Sequence, residues 1–233
     1  MKVSAVIPAA GMGLRMGGNI PKQFLTLSGK PLLHHTLAAF QQCDVVDSVV
    51  LVVPEKELKN TREKWLGHPA IVKKVIQGGA QRQDSVRNGF EALGPDTDIV
   101  VVHDGVRPFV TPDLIRKSVQ TASDFGAVIT AVPVNDTLKK ADAQGVVECT
   151  VSRDHLWRVQ TPQAFRYELL REAFEKAGRD GFYGTDEGSL IENLGREVKI
   201  IPGSELNIKI TRSEDLLLGE TIFNQMNGKP RTS

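Results

Sequence analysis

Residues 3–24 read Val3-Ser4-Ala5-Val6-Ile7-Pro8-Ala9-Ala10-Gly11-Met12-Gly13-Leu14-Arg15-Met16-Gly17-Gly18-Asn19-Ile20-Pro21-Lys22-Gln23-Phe24. The apolar, β-branched start predicts a buried strand that opens at Pro8 into a loop of small residues. Ala9, Ala10, Gly11 and Gly13 have little or no side chain, so backbone N–H groups there can close around an oxyanion. Arg15 and Lys22 add a planar fork of donors and a mobile point charge, the two kinds of cation that hold phosphoryl oxygens. A polyphosphate-binding loop at a strand end is the expectation, and an ordinary Gly-rich turn is the alternative.

Two familiar phosphate motifs fit poorly. A P-loop requires Gly-Lys-Ser/Thr at its close, which the stretch lacks, and Gly11, Gly13 and Gly17 are spaced one residue too long for Gly-x-Gly-x-x-Gly. The second predicted strand ends in Val52-Val53-Pro54, with no acid placed to hold a ribose diol.

Outward from this loop, short β-branched runs at 3–7, 49–53, 72–76, 99–102 and 128–132 alternate with amphipathic segments at 31–41, 55–66, 84–93 and 112–125. That alternation predicts an α/β fold, Rossmann-like, with a mostly parallel twisted sheet, helices on both faces and ligands beyond the carboxyl ends of the strands. Thr111-Pro112 reads as N-cap and N1 of a helix that Gly126 closes. After Pro133, residues 137–140 and 146–151 flank the turn Asp142-Ala143-Gln144-Gly145 and predict a hairpin that leans on another surface. Helices are expected at 167–177, stopped by Gly178, and at 186–194, stopped by Gly195. Strand-like segments at 198–201 and 206–210 precede a last helix from about 213 to 227, with Thr211 and Glu214 at capping-box spacing. With no linker or repeat, the chain reads as one domain over 1–233 with an arm at about 134–158.

Composition narrows the partners. The 233 residues carry 29 Lys plus Arg against 28 acidic residues, so no global field favours nucleic acid or a membrane surface. Cys43 and Cys149 have neither metal-ligand spacing nor disulfide density, which suits a reducing compartment. No early apolar run is long enough to span a bilayer, and the N-terminus enters a strand without a signal peptide's features, so a cytoplasmic location is expected.

Other strand ends carry further candidates. Gly78-Gly79-Ala80-Gln81-Arg82-Gln83-Asp84-Ser85 turns from a strand into a helix, beside the first loop. Val102-His103-Asp104-Gly105-Val106-Arg107-Pro108 ends a strand in a carboxylate: Asp104 is a magnesium ligand on one reading and a turn-starting Asp on the other. Gly105 lets a ribose approach the backbone, Arg107 holds a phosphate or pairs with an acid, and His103 reads as a packed strand-end histidine. The run Gln160-Thr161-Pro162-Gln163-Ala164-Phe165 reads as exposed. Thr185 stands at a helix N-terminus, where the dipole favours an anion. Lys209, between Ile208 and Ile210, points away from them toward a cleft.

The first loop, Ala-Ala-Gly-x-Gly-x-Arg-Met followed by Pro-Lys-Gln, resembles that of the 2-C-methyl-D-erythritol 4-phosphate cytidylyltransferases. The likeness extends to Arg153-Asp154-His155-Leu156-Trp157, Thr185-Asp186-Glu187 and Asn207-Ile208-Lys209-Ile210-Thr211. It implies a nucleotide site for CTP at Pro8, Ala9, Ala10, Gly11, Met12, Gly13, Gly78, Gly79, Ala80, Arg82, Ser85, Asp104 and Gly105. It implies catalytic roles for Arg15, Lys22, Arg153 and Lys209, and a sugar-alcohol phosphate site at Arg107, Thr137, Arg153, Thr185 and Lys209. It also implies Mg2+ near Asp104 and a homodimer whose exchanged arms bring Arg153 and Thr137 into the partner's site. A cytidylyltransferase for another polyol phosphate such as ribitol 5-phosphate stays open, as does, from another class, a non-catalytic or NAD-binding Rossmann-like module.

Overall fold

The chain is described here by a computed structural model at residues 1–11 and 21–226. Strand β1 (Val3–Pro8) leads, past a 3-10 turn at Lys22–Phe24 and the short pair β2 (Thr26–Leu27) and β3 (Lys30–Pro31), into helix α1 (Leu32–Gln41). Then come β4 (Ser48–Val53), α2 (Leu58–Trp65), β5 (Val72–Gln77), α3 (Arg82–Glu91), β6 (Ile99–Val102), α4 (Pro112–Phe125) and β7 (Ala127–Pro133). An arm of β8 (Leu138–Ala141) and β9 (Val147–Val151) precedes β10 (Trp157–Arg166), α5 (Tyr167–Asp180), α6 (Glu187–Asn193), β11 (Lys199–Pro202) and α7 (Ser213–Met226).

Seven strands form one sheet in the order β11-β7-β10-β6-β1-β4-β5. Only β10 runs antiparallel to its neighbours; β1 with β4 and β6, β4 with β5, and β7 with β11 are parallel. The chain steps outward from β1 to β4 and β5, then returns to β6 on the other flank of β1. This reversal opens a crevice beyond Pro8 and Val102, where sheets of this kind bind ligands.

Alternation along β1 builds both layers of core. Val3, Ala5 and Ile7 pack with Leu33, Leu37 and Phe40 of α1 and Ile115 and Val119 of α4. Val6 faces the other side, with Val86 and Phe90 of α3, Phe174 of α5 and Leu190 of α6. A third cluster sets Ile222 of α7 against Leu27, Val106, Phe109 and Ile210, so the last helix covers the loops beyond the sheet. The caps of α4 are those expected: the Thr111 hydroxyl accepts from Leu114 N at 3.2 Å, and Gly126 has φ 97°.

Several expectations are corrected. Residues 160–165 are buried and lie in β10, a central strand, rather than on an exposed return. Helix α5 runs through Gly178 to Asp180 and ends at Gly181, whose φ of 64° suits glycine. Residues 206–210 form no strand. At the start of α7 it is Asp215, rather than Glu214, that accepts from Thr211 N, Thr211 Oγ1 and Arg212 N. Strands β8 and β9 pair only with each other among the described residues, and the arm's base merges into β7 and β10, where Trp157 faces Pro133.

Helix α3 sits unusually close to the sheet: a Cβ on Gly89 would lie 2.3 Å from Val6 Cγ1 and 2.9 Å from Val52 Cγ2. Gly89→Ala gains up to about 1 kcal/mol of helix propensity, but forces a stiff β-branched core apart at about 1–3 kcal/mol. A lower urea midpoint is expected for this variant, in spite of its better helix former.

Candidate active site

The crevice holds a cavity of about 270 Å³ lined by Pro8, Ala9, Ala10, Gly11, Lys22, Gln23, Gly79, Ala80, Gln81, Arg82, Ser85, Asp104, Val106 and Lys209. Segments far apart in sequence thus meet at the carboxyl ends of β1, β5 and β6. The first two loops touch because Gly78 is a glycine: a Cβ there would stand 2.4 Å from Ala10 Cβ and 2.8 Å from Ser85 Oγ. Gly105 lies behind the lining in the same way, 3.1 Å from Ala9 Cβ on that measure. Arg15, Met12 and Gly13 fall outside the described residues.

At the helix α3 end, the Ser85 hydroxyl donates to Gln81 O at 3.1 Å and accepts from Gly79 N at 3.0 Å. Ser85 therefore organises its own loop, and its proton is committed there. Asp84 closes the turn by accepting from Gln81 N at 2.9 Å.

The electrostatic centre is Asp104, 6% exposed. Its Oδ1 accepts from Arg82 Nε at 3.2 Å, while Oδ2 takes Lys209 Nζ at 2.8 Å and stands 3.6 Å from Arg107 Nε. Burial by itself would raise the Asp104 carboxyl; the charges of Arg82, Lys209 and Arg107 and the Lys209 hydrogen bond outweigh it and hold the group well below the usual carboxylate range. Arg82 also forks onto Glu187, Nη1 to Oε1 at 2.8 Å and Nη2 to Oε2 at 3.0 Å. Burial disfavours the Arg82 charge, but these two carboxylates more than restore it and push its pKa up.

Of the other predicted residues, Arg107 is buried beneath the cavity and does not line it. Its Nη1 donates to Asn207 O at 2.8 Å. Thr137 and Arg153 are exposed on the arm, where Arg153 donates to Asn135 O. Thr185 is exposed just ahead of α6, and the helix is capped by its neighbour: Asp186 Oδ1 accepts from Ser189 N at 3.0 Å, and Gln163 Oε1 accepts from Gly188 N at 3.2 Å. Within one chain these three do not join the cavity.

Sequence reasoning missed a buried polar layer behind the cavity. Glu187 is 1% exposed, Gln163 1%, Thr161 4% and Asn207 0%. The available signal was the polar run at 160–163 between Val159 and Ala164-Phe165, since polar residues inside an apolar strand pattern must be paired if buried. A register shift in β10 between Gln160 and Gln163 carries Thr161 to the end of β6. There Asp104 N donates to Thr161 Oγ1 at 3.1 Å, and Thr161 Oγ1 lies 3.0 Å from His103 Nδ1.

His103 is the packed strand-end histidine expected, fully buried with its ring 5.4 Å from that of Phe40. Its Nε2 lies 3.2 Å from Arg107 O, an acceptor only, so Nε2 carries the proton and Nδ1 accepts from Thr161. Burial lowers its pKa to about 4, with the backbone bond to Arg107 and the Asp104 charge opposing and the charges of Arg107 and Lys209 assisting. A folded pKa below the unfolded 6.5 means that the unfolded chain binds the extra proton, so this group's stabilisation is complete above pH 6.5 and is lost as pH falls toward 4. His103 should cost about 2 kcal/mol of stability between pH 7 and pH 5. Comparing urea unfolding of the parent and His103→Gln at both values isolates that loss from the opposing effect of Glu187, whose pKa burial raises.

A profile of the family described as 2-C-methyl-D-erythritol 4-phosphate cytidylyltransferase matches residues 3–225. A protein of that name from Geotalea uraniireducens is 44% identical, over 98% of this chain and 100% of its own, and one from Pelotomaculum thermopropionicum is 47% identical, over 98% and 97%. The crystal structure of 4-diphosphocytidyl-2C-methyl-D-erythritol synthase from Anaerococcus prevotii superimposes with a TM-score of 0.83 at 32% identity, covering 96% of both chains. The 2-C-methyl-D-erythritol 4-phosphate cytidylyltransferase from Thermus thermophilus gives 0.79 at 36%, covering 96% of this chain and 100% of that one. With the profile matched over residues 3–225 and the fold shared, this chain belongs to the 2-C-methyl-D-erythritol 4-phosphate cytidylyltransferase family.

Proposed function

We propose that this protein transfers the cytidylyl group of CTP to 2-C-methyl-D-erythritol 4-phosphate, giving 4-diphosphocytidyl-2-C-methyl-D-erythritol and pyrophosphate, in the non-mevalonate route to isoprenoids. The observation that carries the reading is the convergence of the small-residue loop, Lys22, the Gly79–Ser85 turn, Asp104 and Lys209 on one cavity at the switch point of the sheet. Cations concentrated there, in a chain with a formal net charge of only +1, suit the joining of two anions. In the reaction a phosphate oxygen of the sugar bonds to the α-phosphorus of CTP, the α–β bridging bond breaks, and pyrophosphate leaves with that electron pair. Arg15 and Lys22 neutralise charge growing on the α-phosphoryl group, and Lys209 orients the attacking phosphate. The nucleotide lies along residues 8–13 and the 78–85 turn, with Gly105 packed behind Ala9.

The donor set is compatible with Mg2+ arriving on the triphosphate. Such an ion needs only one or two carboxylates besides phosphate oxygens and waters, and Asp104 is the acid among the described lining residues. When bound, it neutralises triphosphate charge; Asp104 would hold it. Among the described residues no group of three or more His, Cys, Asp or Glu could hold a metal on its own.

Residues 1–233 act as one catalytic unit in a homodimer, with Arg153 and Thr137 serving the partner's site from the exchanged arm. Supporting this, Val146, Val147, Val151, Trp157 and Val159 are all at least 37% exposed on or beside the arm, a concentration of exposed apolar side chains of the kind that marks an interface. Thr185 completes the sugar-phosphate site. We place the reaction in the cytoplasm. Both cysteines are free thiols, and among the described residues no helix is long and apolar enough to cross a membrane.

Pyrophosphate release from CTP, Mg2+ and either 2-C-methyl-D-erythritol 4-phosphate or ribitol 5-phosphate tests the activity. Strong release with the first and weak release with the second is expected, and the reverse would overturn the substrate. Subunit exchange tests the shared site. Lys22→Ala and Arg153→Ala should each be nearly inactive alone, yet an equal mixture should recover about a quarter of parental activity, because half the dimers are mixed and each then has one intact site. No recovery after verified exchange would mean that each chain builds its site alone.

A further inference from the structure

We infer that Asn207, which no catalytic role claims, is the positioning residue that fixes where the Lys209 ammonium stands in the cavity. The inference rests on the cytidylyltransferase reading only for what Lys209 acts upon. Residues 206–210 have no strand ladder to set their register. Lysine has a long flexible stem, so the reach of its ammonium is decided by where the backbone is pinned.

Asn207 is the pin on one side. It is fully buried, and its N–H donates to Ser204 O at 3.0 Å while its carbonyl accepts from Arg107 Nη1 at 2.8 Å. Its side-chain Nδ2 donates to Thr161 O at 2.8 Å and, at 3.4 Å, to Gln160 Oε1, whereas Oδ1 has no hydrogen-bond partner. The side chain therefore serves as a donor to β10, with its shorter bond on the Thr161 carbonyl. On the other side, Ile210 N donates to Val106 O at 2.9 Å, and Lys209 lies between the two attachments.

Thr161 gives this arrangement its consequence. Its hydroxyl accepts the N–H of Asp104, and its carbonyl accepts the Asn207 amide. One residue of β10 thus holds the backbone of Asp104 and the segment bearing Lys209. The 2.8 Å spacing of the Lys209 ammonium and the Asp104 carboxylate is set through Thr161 and Asn207. An apolar residue at 207 would leave the Thr161 carbonyl buried and unpaired and release that register.

A double-mutant cycle on the full-length protein separates positioning from general packing, alongside NMR of the Lys209 ammonium in the free protein. With the fold verified by circular dichroism, Asn207→Ala should broaden or abolish the hydrogen-bonded ammonium signal. It should also lower kcat/KM for the sugar phosphate about 10- to 100-fold, the cost of a misplaced charge, while the KM for CTP stays unchanged. In a Lys209→Ala background the same substitution should change kcat/KM less than about twofold, as expected when one residue acts through the other. Equal losses in both backgrounds, an unchanged ammonium signal or a matching loss of CTP binding would overturn the inference. If Asn207→Ala does not fold, Asn207→Ser, which keeps a polar group but cannot span to Thr161, carries the same expectations. A parent without turnover would refute the proposed function instead, leaving the ammonium signal to decide the role of Asn207.

Discussion

A carboxylate buried at the end of a central strand stays ionised only if positive charge surrounds it, and Asp104 draws that charge from three directions. Arg82 comes from the start of α3, Arg107 from the turn after β6, and Lys209 from the segment ahead of α7. The dependence is mutual. Without the carboxylate these cations would repel one another in a medium that screens poorly, and without them its burial would favour the neutral acid. One ion cluster therefore holds the cavity walls together before any ligand arrives.

That cluster needs a rigid support, which the reversed strand β10 supplies. Gln163 reaches Asp186 at 2.7 Å and ties down the start of α6, where Glu187 meets Arg82. Thr161 reaches Asp104 and His103. A parallel strand in that place would enter from the opposite end and present a different set of residues to the switch point. The polar groups in β10 are expensive to bury singly, but they are paired with one another and with backbone, so the layer orients the cavity without leaving it loose.

These relations also explain what was legible in the chain. The runs at 3–7, 49–53 and 99–102 revealed the parallel half of the sheet, because strands buried on both faces read as continuous apolar runs, while the edge strand at 72–76 keeps Lys73 and Lys74 exposed. Asp104 and Lys209 could be seen as candidates from their position at segment ends, and the two sit 2.8 Å apart. Strand β10 was concealed by Gln160, Thr161 and Gln163, whose burial depends on partners that sequence order does not show. The alternation at 206–210 imitates a strand, yet side chains rather than a ladder hold those residues. Glu187 stood out only as part of Thr185-Asp186-Glu187; it is the fold that brings Arg82 across 105 positions to pair with it.

The state of the proton acceptors bears on which nucleophile the cavity can use. Attack by a sugar hydroxyl would call for a general base, and the nearby groups are engaged. His103 donates to Arg107 O and accepts from Thr161, fully buried and not among the lining residues. Glu187 is locked in a two-point bond to Arg82, and Asp104 is held as a carboxylate of depressed basicity by its three cations. A phosphate monoester, with a second pKa near ~6, arrives at neutral pH already mostly as a dianion and needs no such base. What it needs is relief from the repulsion of a second polyanion, and Lys22 and Lys209 both line the cavity. The wiring of the buried acids and histidine thus favours a phosphate over an alcohol as the attacking group, independently of any likeness to other chains.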